Sequence, residues 1–245
     1  MYLQDYFWFL GAIVICIIFS AFASGKVHST FAKYDRIPNR SGMTGHDTVM
    51  RLMWSNNIND ISIGCVRGRL SDHYHPAKNI VNLSESTYGS SSVSAVAVAA
   101  HEMGHVMQKK SGYAFYKFRT ALVPVVNFGS FLAMPLVIVG LLIDWFSLTA
   151  RADTGFYVAL IGVILYGATF LFALITLPVE LDASRRAKKM LLAEGILYGD
   201  EINGASKVLS AAALTYLASL LTSLVYFLRF LVQVLTLFGR RNSSR

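Results

Sequence analysis

The chain has 245 residues, of which 54% are hydrophobic and 15% are charged, and its mean hydropathy is +0.49. Soluble proteins carry about 25% charged residues, so this composition argues against a water-soluble protein and indicates one embedded in a membrane. The net charge of +8 also suits nucleic-acid binding. However, the basic residues lie beside the apolar runs and form no stripe with interleaved aromatics. We therefore expect the lipid bilayer as a partner, and no nucleic acid.

Four apolar stretches approach or exceed the ~20 residues that a helix needs to cross the hydrocarbon core. They span residues 6–24, 121–143, 156–178 and about 208–238. The first has no positively charged start and is too long for a typical signal peptide, which favours an uncleaved anchor. Arg229 interrupts the fourth, so a bend or an interfacial course after it is an alternative. The sequence predicts a mainly α integral membrane protein with about four transmembrane helices and a small α+β zincin-like catalytic region.

The basic residues predict the orientation of these helices. Residues 25–120 contain 12 Lys or Arg and residues 179–207 contain 5, whereas the short connection 144–155 contains only Arg151. The positive-inside rule then places the two basic regions in the cytoplasm and 144–155 outside. The two cysteines form no CxxC pair, which fits a reducing compartment. We expect a multi-pass protein of the cell membrane with a cytoplasmic catalytic region.

These observations divide the chain into five segments. The anchor and the catalytic region come first, followed by a transmembrane hairpin, a second cytoplasmic segment and a membrane segment with a basic tail. Their predicted bounds are 1–25, 26–120, 121–178, 179–207 and 208–245.

The catalytic region has recognisable local signals in chain order. A helix is predicted over 44–57, because Thr44 is a suitable N-cap and apolar residues follow at helical spacing. Short strands are predicted over 61–83, with a turn at 76–79. An Ala- and Val-rich helix begins at Ser91 or Ser92 and continues to Lys110.

This last helix contains the motif HEMGH at residues 101–105. His101 and His105 are four positions apart, so on a helix they share one face and can bind one metal ion. Imidazole nitrogens suit Zn²⁺, and a catalytic zinc site adds a third protein ligand and leaves one position for water. Glu102 lies beside the ligand face, where it is placed to take a proton from that water. The pattern predicts one catalytic Zn²⁺ with Glu102 as general base.

The third ligand is less directly indicated by the sequence. The metzincin motif does not continue, because no further histidine follows His105 in the chain. Glu180 lies two membrane crossings further along, and an even number of crossings returns the chain to the same face. We favour Glu180 for this reason. The nearer alternatives are His73, His75, Asp72 and Glu85.

Several segments of the chain, taken together, resemble those of a known protein family. They are KVHSTFAKYDRIPNRSGMTG, LSDHYHPAKNIVNLSESTYG, AVAVAAHEMGHVMQ, ALVPVVNFGS, LPVELDASRRA and AAALTYLASLL. Through them the chain resembles the neutral zinc metallopeptidases of bacterial membranes, the YugP-like family, over nearly its whole length. HEMGH and ELDASRRA are more distantly similar to the membrane gluzincins that include CAAX prenyl endopeptidases and heat-shock-type membrane proteases.

The resemblance implies that Glu180 is the third zinc ligand. In the second gluzincin motif, Glu-x-x-Ala-Asp-Arg-x-Ala, an aspartate stands where this chain has Ser184. That aspartate normally accepts a hydrogen bond from a zinc-binding histidine. Because Ser184 stands in its place, the sequence does not predict which residue contacts the histidine in this chain. Asp182 lies two residues away and should point elsewhere on a helix.

The sequence is compatible with three functions. The first is a zinc metalloendopeptidase that cuts protein or peptide substrates at the cytoplasmic membrane face. The alternative is a non-catalytic zinc-binding membrane module that binds a partner protein, for which Glu102 would have no use. A small transporter is a third, but the first three spans carry no ionisable residue at mid-span. The oligomeric state is not indicated by the sequence.

The predicted orientation can be tested by cysteine labelling in a background without Cys16 and Cys65. A membrane-impermeant reagent applied from outside should label a cysteine at Ser147 and not one at Ser111, because the charge bias places them on opposite sides. The reverse labelling pattern would contradict the orientation.

Overall fold

The computed structural model describes residues 2–146 and 154–243. The expected extracellular connection 144–155 thus falls largely outside the described residues. The described part is mainly helical with one small sheet, which confirms the predicted fold class. In chain order its elements are α1 (Tyr2–Asp35), α2 (Gly45–Ser55), β1 (Ser62–Val66), β2 (His73–His75), β3 (Ile80–Ser84), α3 (Glu85–Tyr88), α4 (Val93–Lys110), α5 (Ala114–Phe146), α6 (Thr154–Ala193) and α7 (Asp200–Ser243).

Four helices in the described ranges are long and apolar enough to cross a membrane, as the sequence predicted. They are α1, α5, α6 and α7. Each extends beyond its apolar stretch, and α6 continues through Pro178 without a break. The helix α7 also continues past Arg229 as one helix, so the chain does not turn back there.

The chain divides into two compact units, of which the first contains most of the apolar helical length. It comprises residues 1–20, 118–176 and 217–245. Small residues bring its helices close together, because a Cβ built on Gly140 would lie 2.5 Å from the Ala159 backbone nitrogen. Such small-residue contacts are typical of helices that pack inside a membrane.

The second unit comprises residues 21–117 and 177–216 and contains the sheet. The strand order is β1-β3-β2, with β1 parallel and β2 antiparallel to the central β3. The predicted helix start is confirmed at α2, where the Thr44 side chain accepts from the Asp47 N–H and Asp47 reaches back to the Thr44 N–H. This reciprocal cap satisfies two backbone donors that the first helical turn leaves unpaired.

The helix α4 is central to this unit, because most of its residues are buried. Its surface is built largely from small side chains, so neighbouring elements can approach its axis closely. At Gly104 an added Cβ would lie 2.5 Å from the carbonyl oxygen of Ala183 in α6. The two helices are therefore in backbone contact at this point.

Gly104→Ala should destabilise the second unit, because the new methyl group meets the backbone of α6 and not a flexible side chain. Overpacking of this kind costs about 1–3 kcal/mol and should lower the thermal unfolding midpoint. Gly25→Ala is the matched control, since Gly25 is also helical but has no neighbouring atom within 4 Å of the added Cβ. Equal midpoints for the two variants would contradict the close contact.

Candidate metal centre

Two histidines on α4 lie next to each other in space. His101 and His105 lie one turn apart, and their ring centroids are 4.8 Å apart in an edge-to-face arrangement. His105 is buried and His101 is partly buried. Because the rings share a face of a buried helix, their nitrogens point toward the neighbouring helix and away from bulk water.

The neighbouring helix α6 places a carboxylate beside the two histidine rings. Glu180 is 2% exposed, and its Oε2 lies 3.1 Å from His101 Nε2 and 3.5 Å from His105 Nε2. The Gly104–Ala183 contact lies one turn along α6 from Glu180, so the same close approach brings the carboxylate to the rings. The residues that the sequence predicted as metal ligands are thus adjacent in space.

The donor set fits a zinc ion in both chemistry and spacing. Two imidazoles and one carboxylate are the usual protein ligands of a catalytic zinc site. Four donors at ~2.0–2.1 Å from a tetrahedral zinc lie about 3.3–3.4 Å from one another, close to the two separations from Glu180 Oε2. Among the residues that the structure describes, this is the one group of three potential metal-ligating side chains with all ligand atoms within 4.8 Å.

The alternative ligands lie elsewhere and have other partners. His73 contacts the Ser71 carbonyl oxygen and the Asn82 amide, and His75 contacts the Lys78 N–H. The remaining two are carboxylates that accept backbone hydrogen bonds, Asp72 from Ser84 and Glu85 from Gly68.

Glu102 is buried beside the ligands and is oriented by the sheet. Its Oε2 accepts a hydrogen bond of 2.8 Å from the backbone N–H of Tyr74 in β2. Burial raises the pKa of Glu102 to about 7; His101 opposes the shift, and the carboxylates of Glu180 and Asp72 add to it. A carboxyl group with this pKa can accept and release protons near neutral pH, which suits a general base.

The second ring nitrogen of each histidine is also occupied. The Ser184 hydroxyl lies 3.1 Å from His101 Nδ1, so Ser184 is the partner of this histidine that the sequence did not predict. The amide oxygen of Gln108 lies 3.0 Å from His105 Nδ1, and the Gln108 amide nitrogen contacts Asp182. Sequence reasoning missed Gln108, although its position three residues after His105 places it on a neighbouring part of the same helix face.

Comparisons with known proteins show which family the chain is similar to. Residues 8–235 match the family described as "Putative neutral zinc metallopeptidase". The chain is 41% identical over 224 residues to the "Putative membrane protease YugP" of Bacillus subtilis (strain 168), which covers 91% of this chain and 95% of the relative. No solved structure shows a significant match.

Metal analysis can test the predicted ligands. The purified protein should contain about one Zn²⁺ per chain, and Glu180→Ala should lose most of it during dialysis against a chelator, because one of three protein donors is removed. His73→Ala and His75→Ala are the matched controls and should retain zinc. Loss of zinc from either control with retention in Glu180→Ala would contradict the assignment.

Proposed function

Because the chain belongs to the neutral zinc metallopeptidase family, we propose that it is a membrane-embedded zinc metalloendopeptidase. The observation that carries this proposal is the position of Glu102 beside the group formed by His101, His105 and Glu180. A buried carboxylate next to three potential ligands, but outside the group, is suitably placed to act as a general base in metal-assisted hydrolysis.

The proposed roles of the residues follow from their positions. His101, His105 and Glu180 would hold one Zn²⁺, which when bound supplies Lewis acidity for polarising the substrate carbonyl and for lowering the pKa of water. Glu102 accepts a proton from the attacking water as the water oxygen bonds to the carbonyl carbon. It then returns the proton to the nitrogen of the leaving amine as the carbon–nitrogen bond breaks.

The sheet supports an extended peptide as the substrate. Among the described strands, β2 is an edge strand, because it pairs with β3 on one side only. Its Tyr74 N–H donates to Glu102, so the edge of β2 that has no partner strand borders the proposed catalytic carboxylate. Backbone groups at such an edge can hydrogen-bond to an extended peptide whatever its side chains are.

We further propose that the catalytic residues face the cytoplasm. Segments 26–120 and 179–207 contain His101, Glu102, His105 and Glu180 and are the basic regions that the positive-inside rule assigns to that side. Segments 1–25, 121–178 and 208–245 would then hold the protein in the membrane. The substrates expected from this placement are proteins or peptides at the inner membrane face.

A non-catalytic zinc-binding module is the second candidate, and the burial of the ligand group favours it. A buried ion that joins α4 to α6 would stabilise the fold whether or not it acts on a substrate. Structural zinc sites, however, almost always have four protein ligands. The group described here has three, which is the number that a catalytic site uses.

The two functions differ in the consequence of Glu102→Gln. This substitution keeps the side-chain shape and all three proposed ligands, so zinc content should be unchanged. Hydrolysis of a casein-like or membrane-peptide substrate should fall by roughly 10²–10⁴-fold, because the general base is lost. The measurement is zinc content and cleavage rate in the same preparation.

His101→Ala is the comparison variant and should lose zinc and hydrolysis together. Glu102→Gln that retains both zinc and the wild-type rate would refute the general-base role. A wild-type protein that binds zinc but cleaves no substrate would favour the non-catalytic module.

A further inference from the structure

Gln108 is a buried side chain whose hydrogen bonds extend from the metal centre toward the surface. It is 0% exposed and follows His105 on α4. Its Oε1 lies 3.0 Å from His105 Nδ1, while its Nε2 donates to the Val179 carbonyl oxygen at 2.7 Å and to Asp182 Oδ2 at 3.0 Å. One amide thus joins a predicted metal ligand to the helix α6, which carries Glu180.

The partners of this amide determine its orientation. The Val179 carbonyl oxygen and the Asp182 carboxylate can only accept hydrogen bonds, so the NH₂ group of Gln108 must face them. The carbonyl oxygen of Gln108 must then face His105, and His105 Nδ1 must be the donor. A neutral imidazole protonated at Nδ1 has its free lone pair on Nε2, which is the nitrogen nearer to Glu180.

Asp182 is in turn fixed by two arginines. Its Oδ2 accepts from Arg186 Nε at 2.6 Å, and its Oδ1 lies 3.8 Å from Arg185. The Arg186 guanidinium also lies over the Tyr113 ring, 5.7 Å from its centroid. These contacts offset the charge of the carboxylate and hold it against the amide of Gln108.

The other histidine has a simpler partner. His101 Nδ1 contacts the Ser184 hydroxyl, which can donate or accept and therefore does not impose a tautomer. Of the two Nδ1 partners, Gln108 at His105 is thus the one that determines which ring nitrogen carries the proton.

We propose that Gln108, held by Asp182 and Arg186, is the positioning residue that prepares His105 to bind the metal. This inference rests on the proposed zinc site and adds to it a residue that touches neither metal nor substrate. Partners of this kind orient the ring and increase its basicity, and their loss typically weakens metal binding by about 10- to 100-fold.

The first test measures the zinc dissociation constant by competition with a chromophoric chelator. Gln108→Met keeps a similar length but removes the hydrogen bonds, so it should weaken zinc binding roughly 10- to 100-fold. Thr48→Val is the matched control, because Thr48 is also fully buried and the substitution removes its hydrogen bond from Oγ1 to the carbonyl oxygen of Thr44, the N-cap of α2. It should reduce stability and leave the zinc dissociation constant unchanged.

The second test exchanges the two interacting groups. Gln108→Glu alone places a carboxylate against that of Asp182 and should weaken zinc binding. Adding Asp182→Asn supplies an NH₂ group to the new carboxylate and keeps an acceptor for Arg186, so the double variant should bind zinc more tightly than the single one. The visible spectrum of the Co²⁺-substituted protein should return toward the wild-type spectrum in parallel.

These tests separate the inference from the proposed function. Wild-type protein that binds no zinc would refute the zinc site itself. Wild-type affinity in Gln108→Met would overturn only the positioning role, as would a double variant that binds zinc no better than Gln108→Glu. If Gln108→Met does not fold, the comparison of the single and double variants decides the question.

Discussion

The close approach of α4 and α6 is the constraint on which the candidate centre depends. The two predicted histidine ligands are on α4 and the predicted carboxylate ligand is on α6, so the group exists only where the two helices are in contact. Gly104 permits that contact, because any larger residue would meet the Ala183 backbone. The same contact brings Gln108 to Val179 and Asp182, and Ser184 to His101.

Three elements contribute residues to the candidate centre. The helix α4 carries two predicted ligands, the proposed general base Glu102 and the partner of His105, Gln108. The helix α6 carries the third predicted ligand and the partner of His101, Ser184, and β2 orients Glu102 through the Tyr74 N–H. Backbone groups and buried side chains make these contacts, so the fold itself determines the positions of the groups. Preorganised groups of this kind need little rearrangement during a reaction.

Local signals in the sequence predicted much of this structure. The Thr44 cap, the strands between 61 and 83 and the helix that carries HEMGH all follow from patterns within a few residues, and the structure confirms them. The adjacency of Glu180 to the histidines was expected from counting membrane crossings. Its role as a ligand stays a prediction.

What the sequence could not predict depends on contacts between distant segments. Gln108 and Asp182 are 74 residues apart, and no pattern within either segment indicates that an amide and a carboxylate meet. The hydrogen bond from the Tyr74 N–H to Glu102 is also not predictable, because nearly every residue has a backbone N–H and the residue type does not indicate its partner. The continuation of α6 through Pro178 also departs from the usual rule that proline interrupts a helix.

The burial of two carboxylates in one small volume has a consequence for the folding free energy of the protein. Glu102 and Glu180 are both nearly inaccessible to water, and grouping acidic side chains in such a place opposes folding unless positive charge offsets them. A divalent cation held by the proposed ligands would provide that charge, and its binding free energy would become part of the folding free energy.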